Sequence, residues 1–158
     1  GQVLLMANGL YCPTFLNALK NDLNVDLDNG DFYCLLTTSS YTPNFETDAF
    51  LDDGTIISNE VSGTNYTQGG NALSSITFAK SSDGSGKLTW DAGDVTWPNS
   101  TISNARRAVI YDRISGGTAN SARYLVACID FGGDFSTTSG TFEIQWNASG
   151  IFTLDLVP

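Results

Sequence analysis

Ala105-Arg-Arg-Ala-Val-Ile-Tyr-Asp-Arg-Ile114, then Ser115-Gly-Gly-Thr-Ala-Asn120, then Ser121-Ala-Arg-Tyr-Leu-Val-Ala-Cys-Ile-Asp-Phe-Gly-Gly133, is the stretch whose reading decides the fold. Two runs rich in Val, Ile, Leu, Tyr and Phe flank a connection marked by Gly116 and Gly117, the pattern of a hairpin at the centre of a β-sheet. On the first strand Arg106, Ala108, Ile110, Asp112 and Ile114 share one face, and Arg107, Val109, Tyr111 and Arg113 share the other. Arg106 therefore sits among apolar residues. It needs a sheet edge or a carboxylate partner such as Asp91 or Asp94, because an unpaired buried charge costs several kcal/mol.

Toward the C-terminus, Phe142, Ile144 and Trp146 alternate with polar residues, as do Phe152, Leu154 and Leu156. This half-buried pattern predicts a second hairpin, Gly140–Trp146 with Gly150–Val157, turning through Asn147-Ala-Ser-Gly150. Toward the N-terminus, strands are predicted at Asp94–Trp97, Lys87–Asp91, Ala72–Lys80 and Phe32–Thr38. In the third of these, Leu73 and Ser75 fall out of phase with Ile76 and Phe78, so a bulge or register change is expected near Ser75. Ser81–Gly86 reads as a turn. Asn59–Gly70 is a loop in which Gly63, Gly69 and Gly70 meet a need for positive φ or close chain approach. Ser39–Gly54, punctuated by Pro43 and Asp53-Gly54, is an excursion long enough to be functional, with a short helical turn at Glu46–Leu51.

Pro13–Leu23 is the one helix candidate. Phe15, Leu16, Leu19 and Leu23 recur at helical spacing, and Pro13 suits a first turn. The chain thus reads as one domain over residues 1–158: an extension at 1–11, a helix at 12–24 and a β domain at 31–158. The predicted class is mainly β, an antiparallel β-sandwich or barrel with one N-terminal α-helix. Met6-Ala7 reads as a native start, which would leave the first five residues outside the fold. Gly1–Leu5 lacks the basic flank and h-region of a signal peptide.

Seven basic against seventeen acidic residues give a net charge of −10. Such a surface repels phosphate backbones and anionic lipid over a Debye length of about 8 Å, so neither nucleic acid nor membrane is an expected partner. No apolar run approaches the ~20 residues that span a bilayer as a helix. Cys12, Cys34 and Cys128 lie in apolar runs without the spacing of a disulfide framework, and read as reduced, partly buried small hydrophobes.

Chemistry is hard to find. Without histidine there is no Ser-His-Asp or Cys-His site, and no cysteine has a basic neighbour to activate it. Asp26, Asp28 and Asp31 suggest a calcium loop, but the glycine falls one residue early and the stretch reads as an Asn29-Gly30 turn. The carboxyl pairs Asp91/Asp94 and Asp52/Asp53 flank turn glycines and read as turn formers rather than a glycosidase pair. Trp90, Trp97 and Trp146 would serve either as core or as a sugar-stacking platform. The expectation is a non-enzyme with no cofactor and no metal.

Leu35-Leu-Thr-Thr-Ser-Ser-Tyr-Thr-Pro-Asn44, Asn59–Gly70, Asp94-Val-Thr-Trp97 with Ala105-Arg106 and Ala108-Val-Ile-Tyr111, Ile129-Asp-Phe-Gly132 and Trp146-Asn-Ala-Ser-Gly-Ile151 together resemble a family of small tailed-bacteriophage virion proteins. The resemblance covers nearly all of the chain from Met6 onward. It implies a capsid decoration, or cement, protein: a homo-oligomer that binds the major capsid protein on the capsid exterior after assembly in the host cytoplasm. Arg107 stands where similar proteins are expected to carry an aromatic. Candidate contact segments are Gly1–Tyr11, Tyr41–Gly54 and Asn59–Gly70, which makes Tyr11, Tyr41, Pro43, Phe45, Tyr66 and Arg107 the candidate interface residues. The competing expectation is a tail or head-fibre component that binds a receptor or glycan through Tyr66 and the tryptophans.

Overall fold

The hairpin between Ala105 and Gly133 is longer than its sequence pattern suggests. In a computed structural model, which describes residues 4–158, strand β7 runs Val95–Asp112 and β8 runs Leu125–Ile144, paired antiparallel along their length. Such long strands survive because they bend. Register shifts interrupt the far arm between Trp97 and Ala105, where Asn99 and Asn104 take positive φ, a conformation asparagine tolerates better than most residues. A further shift between Ile110 and Tyr111 makes Val126 an extra residue opposite β7.

Around this hairpin a six-stranded sheet forms in the order β1-β8-β7-β2-β4, with β1 at Gly9–Leu10, β2 at Phe32–Thr37 and β4 at Asn71–Ala72; β3, Gly63–Thr64, pairs with the far arm of β7. A second, three-stranded sheet has the order β5-β6-β9, from Thr77–Lys80, Lys87–Asp91 and Phe152–Asp155. All strand pairs are antiparallel and the sheets stay open, so the architecture is sandwich-like and not a closed barrel. The chain crosses between sheets after Ala72, through Ser75 at φ 51°, which is the phase break visible in the sequence.

Around β2 and the near part of the hairpin the large sheet is buried on both faces, while the far arm is largely exposed. Between the sheets Phe32, Cys34, Leu36, Ala108, Ile110, Ala127 and Ile129 pack with Trp90 and Phe152. Trp90 is central: its ring lies 5.1 Å from Phe32 and 5.2 Å from Phe152, and its indole N–H donates to the Leu27 carbonyl at 2.8 Å. On the opposite face Leu35, Val109, Tyr111, Leu125 and Cys128 lie beneath Tyr11, Tyr41, Leu51 and Ile56. Burial on both faces explains why β2 reads as a continuous apolar run. The excursion after β2 is the lid on that second face.

Several expectations need correction. The C-terminal segments do not form a hairpin: Ile144 pairs with Val95 in the large sheet, and Phe152 pairs with Trp90 in the small one. Helix α1 covers only Cys12–Leu19 and is closed by Asn21 at φ 62°, with the Asn21 and Asp22 amides donating to the Ala18 and Asn17 carbonyls in a Schellman arrangement. That early stop removes Leu23 from the apolar stripe. The helix consequently packs through Thr14 and Phe15, leaving Leu16 and Leu19 exposed. The helical turn expected at 46–51 lies earlier, where the Thr47 and Asp48 amides donate to the Asn44 carbonyl, and it does not continue: Asp53 accepts the Ala49 and Phe50 amides, and a 3₁₀ turn follows at Ile57–Asn59. Leu5 does not stand outside the fold, since it bridges Trp146 and exchanges backbone hydrogen bonds with Gln145 and Asn147. In the rest of the proposed dispensable stretch, Leu4 is exposed and residues 1–3 lie outside the described residues.

Candidate functional site

Most of the side chains that sequence reasoning assigned to an interface are held inside the protomer. Tyr11 and Tyr41 are buried and share a hydroxyl–hydroxyl bond of 2.7 Å; Tyr41 also donates to Asp48 at 3.0 Å, and Asp48 accepts the Asn44 amide at 2.9 Å. Burial pushes the pKa of both phenols well up, so they act as neutral donors. Pro43 and Phe45 are half-buried, and the Phe45 ring packs 5.1 Å from Tyr11 over Gly9. Tyr66 is buried and stacked 5.9 Å from Trp97, and its hydroxyl donates to Glu60 at 2.7 Å while accepting the Leu36 amide at 3.0 Å.

Arg107 has a side chain only 12% exposed. Its guanidinium donates to the carbonyls of Tyr41 and Ser39 and pairs with Asp130 at 3.3 Å, which pins the start of the excursion to the sheet. Arg106 pairs with Asp130 at 2.9 Å and with Asp134 at 3.5 Å, not with Asp91 or Asp94. The reason is hairpin geometry, which brings β8 alongside β7 while Asp91 and Asp94 are taken up elsewhere: Asp91 accepts the Ala92 amide and Asp94 the Trp146 amide. Asp26 caps its turn by accepting the Asp28 and Asn29 amides. All three tryptophans are buried. Cys12 is exposed, contrary to expectation, while burial raises the thiols of Cys34 and Cys128, the latter to about 12.

A polar cavity of about 320 Å³ opens where β2, β4 and the base of the hairpin meet. Tyr33 and Tyr111 form its aromatic wall, their rings 6.2 Å apart. Thr67 to Ala72 form the opposite wall. Gly70 sets that wall's position: at φ 79° it lies so close to β2 that a Cβ would fall 1.9 Å from the Cys34 carbonyl oxygen, which no other residue could accommodate. The Tyr111 hydroxyl donates to the Gly69 carbonyl at 2.7 Å and ties the two walls together.

Arg113 and Arg123 close the cavity. The Arg113 guanidinium lies 4.4 Å over the Tyr33 ring and donates to the Tyr33 hydroxyl at 2.9 Å. Arg123 donates from Nε to the Arg113 carbonyl at 3.0 Å and from Nη1 to Asn120 at 3.2 Å. Burial pushes the Tyr111 phenol up to about 12, although both arginine charges pull it down. Sequence reasoning missed this cavity. The available signal was an arginine on each side of the Gly116-Gly117 connection.

These elements define an open, two-sheet antiparallel β protein with one short helix. Comparison of the chain with protein-family models, curated proteins and solved structures gives no match.

Proposed function

We propose that this is a non-enzymatic structural protein of a tailed-phage virion that binds the outer surface of the capsid and stabilises it. The observation that carries the reading over a glycan-binding fibre module is the burial of every tryptophan, together with Tyr66, in the core between and beside the sheets. A sugar platform needs exposed aromatic faces, and these are occupied by packing. A cement role asks for a stable fold and for apolar and hydrogen-bonding contacts that a multimer repeats across the shell, where avidity multiplies weak contacts. Exposed apolar side chains suited to such contacts are Leu16 and Leu19 on α1, Phe135 on the hairpin arm, and Leu156 and Val157. They replace the buried tyrosines as candidate contacts with the major capsid protein or with other copies of the chain.

The test is co-sedimentation of the purified protein with capsids of its own phage that lack it, followed by shell survival under heat or chelation. Saturable binding with a more resistant shell is the expected outcome. Failure to bind would overturn the cement reading in favour of a tail or fibre component.

A further inference from the structure

We propose that the cavity between Tyr33, Gly70, Arg113 and Arg123 is a binding site for a carboxylate-bearing group. Such a site does not depend on the capsid role.

Its starting point is a placement of charge that folding alone does not favour. Tyr111 pairs with Leu125, and the Asp112 amide donates to the Tyr124 carbonyl. Just beyond the last paired residues, the Arg123 Nε donates to the Arg113 carbonyl, so the two arginines lie side by side at the end of the hairpin. Like charges held this close repel one another. In a chain with seventeen carboxylates, ready partners are plentiful. Arg106 and Arg107 have theirs in Asp130 and Asp134. By contrast, among the described residues Arg113 reaches only Asp31, at 4.0 Å, and Arg123 has no ion pair. Two guanidiniums thus converge on one cavity in an otherwise acidic molecule.

Both are held in place before any ligand arrives. Arg113 is stacked on and bonded to Tyr33, and Arg123 is bonded to a backbone carbonyl and to Asn120. A preorganised guanidinium loses less freedom on binding, and its planar fork matches the two oxygens of a carboxylate. Gln68 and Asn71 on the facing wall add neutral polar groups. A cavity of about 320 Å³ has room for a side-chain-sized group, at the small end of ligand pockets. Charge selects among oxyanions. The net charge of −10 penalises a phosphate dianion about twice as strongly as a singly charged carboxylate.

The experiment is ¹⁵N-resolved NMR titration of the full chain at low salt with four probes: acetate, a blocked Glu-Gln dipeptide, inorganic phosphate and a blocked Asn-Gln dipeptide. Saturable shifts at Gly69, Gly70, Asn71 and the Arg113 and Arg123 side chains are expected with the two carboxylate probes, weakening as NaCl is raised. Tighter binding of the Glu-Gln dipeptide than of acetate would assign the carboxylate to a protein partner, and the reverse to a small molecule; either supports the site. R123Q should weaken binding at least tenfold, and R123K should keep the charge yet fail to restore full affinity. Equal binding of the neutral dipeptide, phosphate binding as tightly as carboxylate, or shifts scattered away from the cavity would overturn the proposal. The wild-type titrations decide these outcomes even if a variant folds poorly.

Discussion

The two faces of the large sheet are covered by different means. One face meets a second sheet, and its core is built from aliphatic and aromatic groups around Trp90. The other meets an irregular segment, Ser39 to Glu60, held down by the Tyr11–Tyr41–Asp48 hydrogen bonds and by Arg107. A sheet brings its own backbone bonds, so it can cover a face with apolar side chains alone. An irregular lid has no continuous ladder, and amides left without a backbone acceptor take side-chain ones: Asp48 takes Asn44, and Asp53 takes Ala49 and Phe50. The lesson is that polar residues in a long excursion can be the condition for burying a face, not a sign of an exposed contact loop.

The comparison can be broken by mutation. Trp90→Ala should have the largest effect, about 3–5 kcal/mol by denaturant unfolding, since it opens a cavity and orphans the Leu27 carbonyl. A loss below about 1 kcal/mol would mean that the sheet-packed face is not the main core. Asp48→Ala should cost about 2 kcal/mol by removing a charged acceptor shared by Tyr41 and Asn44. It should also open the lid locally, so limited proteolysis is expected to cut between residues 39 and 54 before the sheets unfold. Simultaneous loss of both would show the two faces to be one cooperative unit.

Smaller effects sharpen the picture. Tyr11→Phe and Tyr41→Phe should each cost about 0.5–1.5 kcal/mol, and the double variant less than the sum, because one hydroxyl pair is removed twice. Additive costs would show that the two hydroxyls do not interact. Glu60, at the seam where the lid ends, supplies a pH test. Burial raises its pKa above the ordinary carboxylate value, against the opposing pull of the Tyr66 hydroxyl and the Gly69 amide. The folded state therefore holds this proton more tightly than the unfolded state, and the group's contribution to stability falls as pH rises through and above about 4.5. Glu60→Gln should gain stability relative to wild type across that window, measured as the difference between their unfolding free energies from pH 4 to 7. A constant difference would remove Glu60 as a titrating group.

What could be read from the sequence was the central hairpin and the spans of single strands; which more distant strands pair, and which tyrosines turn inward, could not be read. β2 and β6 match their predicted spans closely because alternation and apolar runs are local properties. The supposed C-terminal hairpin failed because Phe142-Ile144-Trp146 and Phe152-Leu154 alternate in the same way whether they pair with each other or with different sheets. The short helix was overrun because Asn21, not glycine, supplies its left-handed stop. The arginine cavity was hidden by a single residue. Up to Ile110 the hairpin register would set Tyr124 opposite Arg113; the extra Val126 shifts it so that Arg123 takes that place. Nothing local in the sequence marks that bulge.

The first strand has a consequence for how the protein is made. Gly9 and Leu10 pair with Cys128 and Ala127, and the Tyr11 amide donates to the Val126 carbonyl, so the earliest elements depend on a strand that follows most of the chain. On a ribosome adding ~5–20 residues per second, β1 has no docking partner for several seconds after it emerges. Docking of β1 and seating of Tyr11 in the lid core therefore belong to a late stage of folding, and nascent chains released before β8 is complete should keep Gly9–Tyr11 accessible.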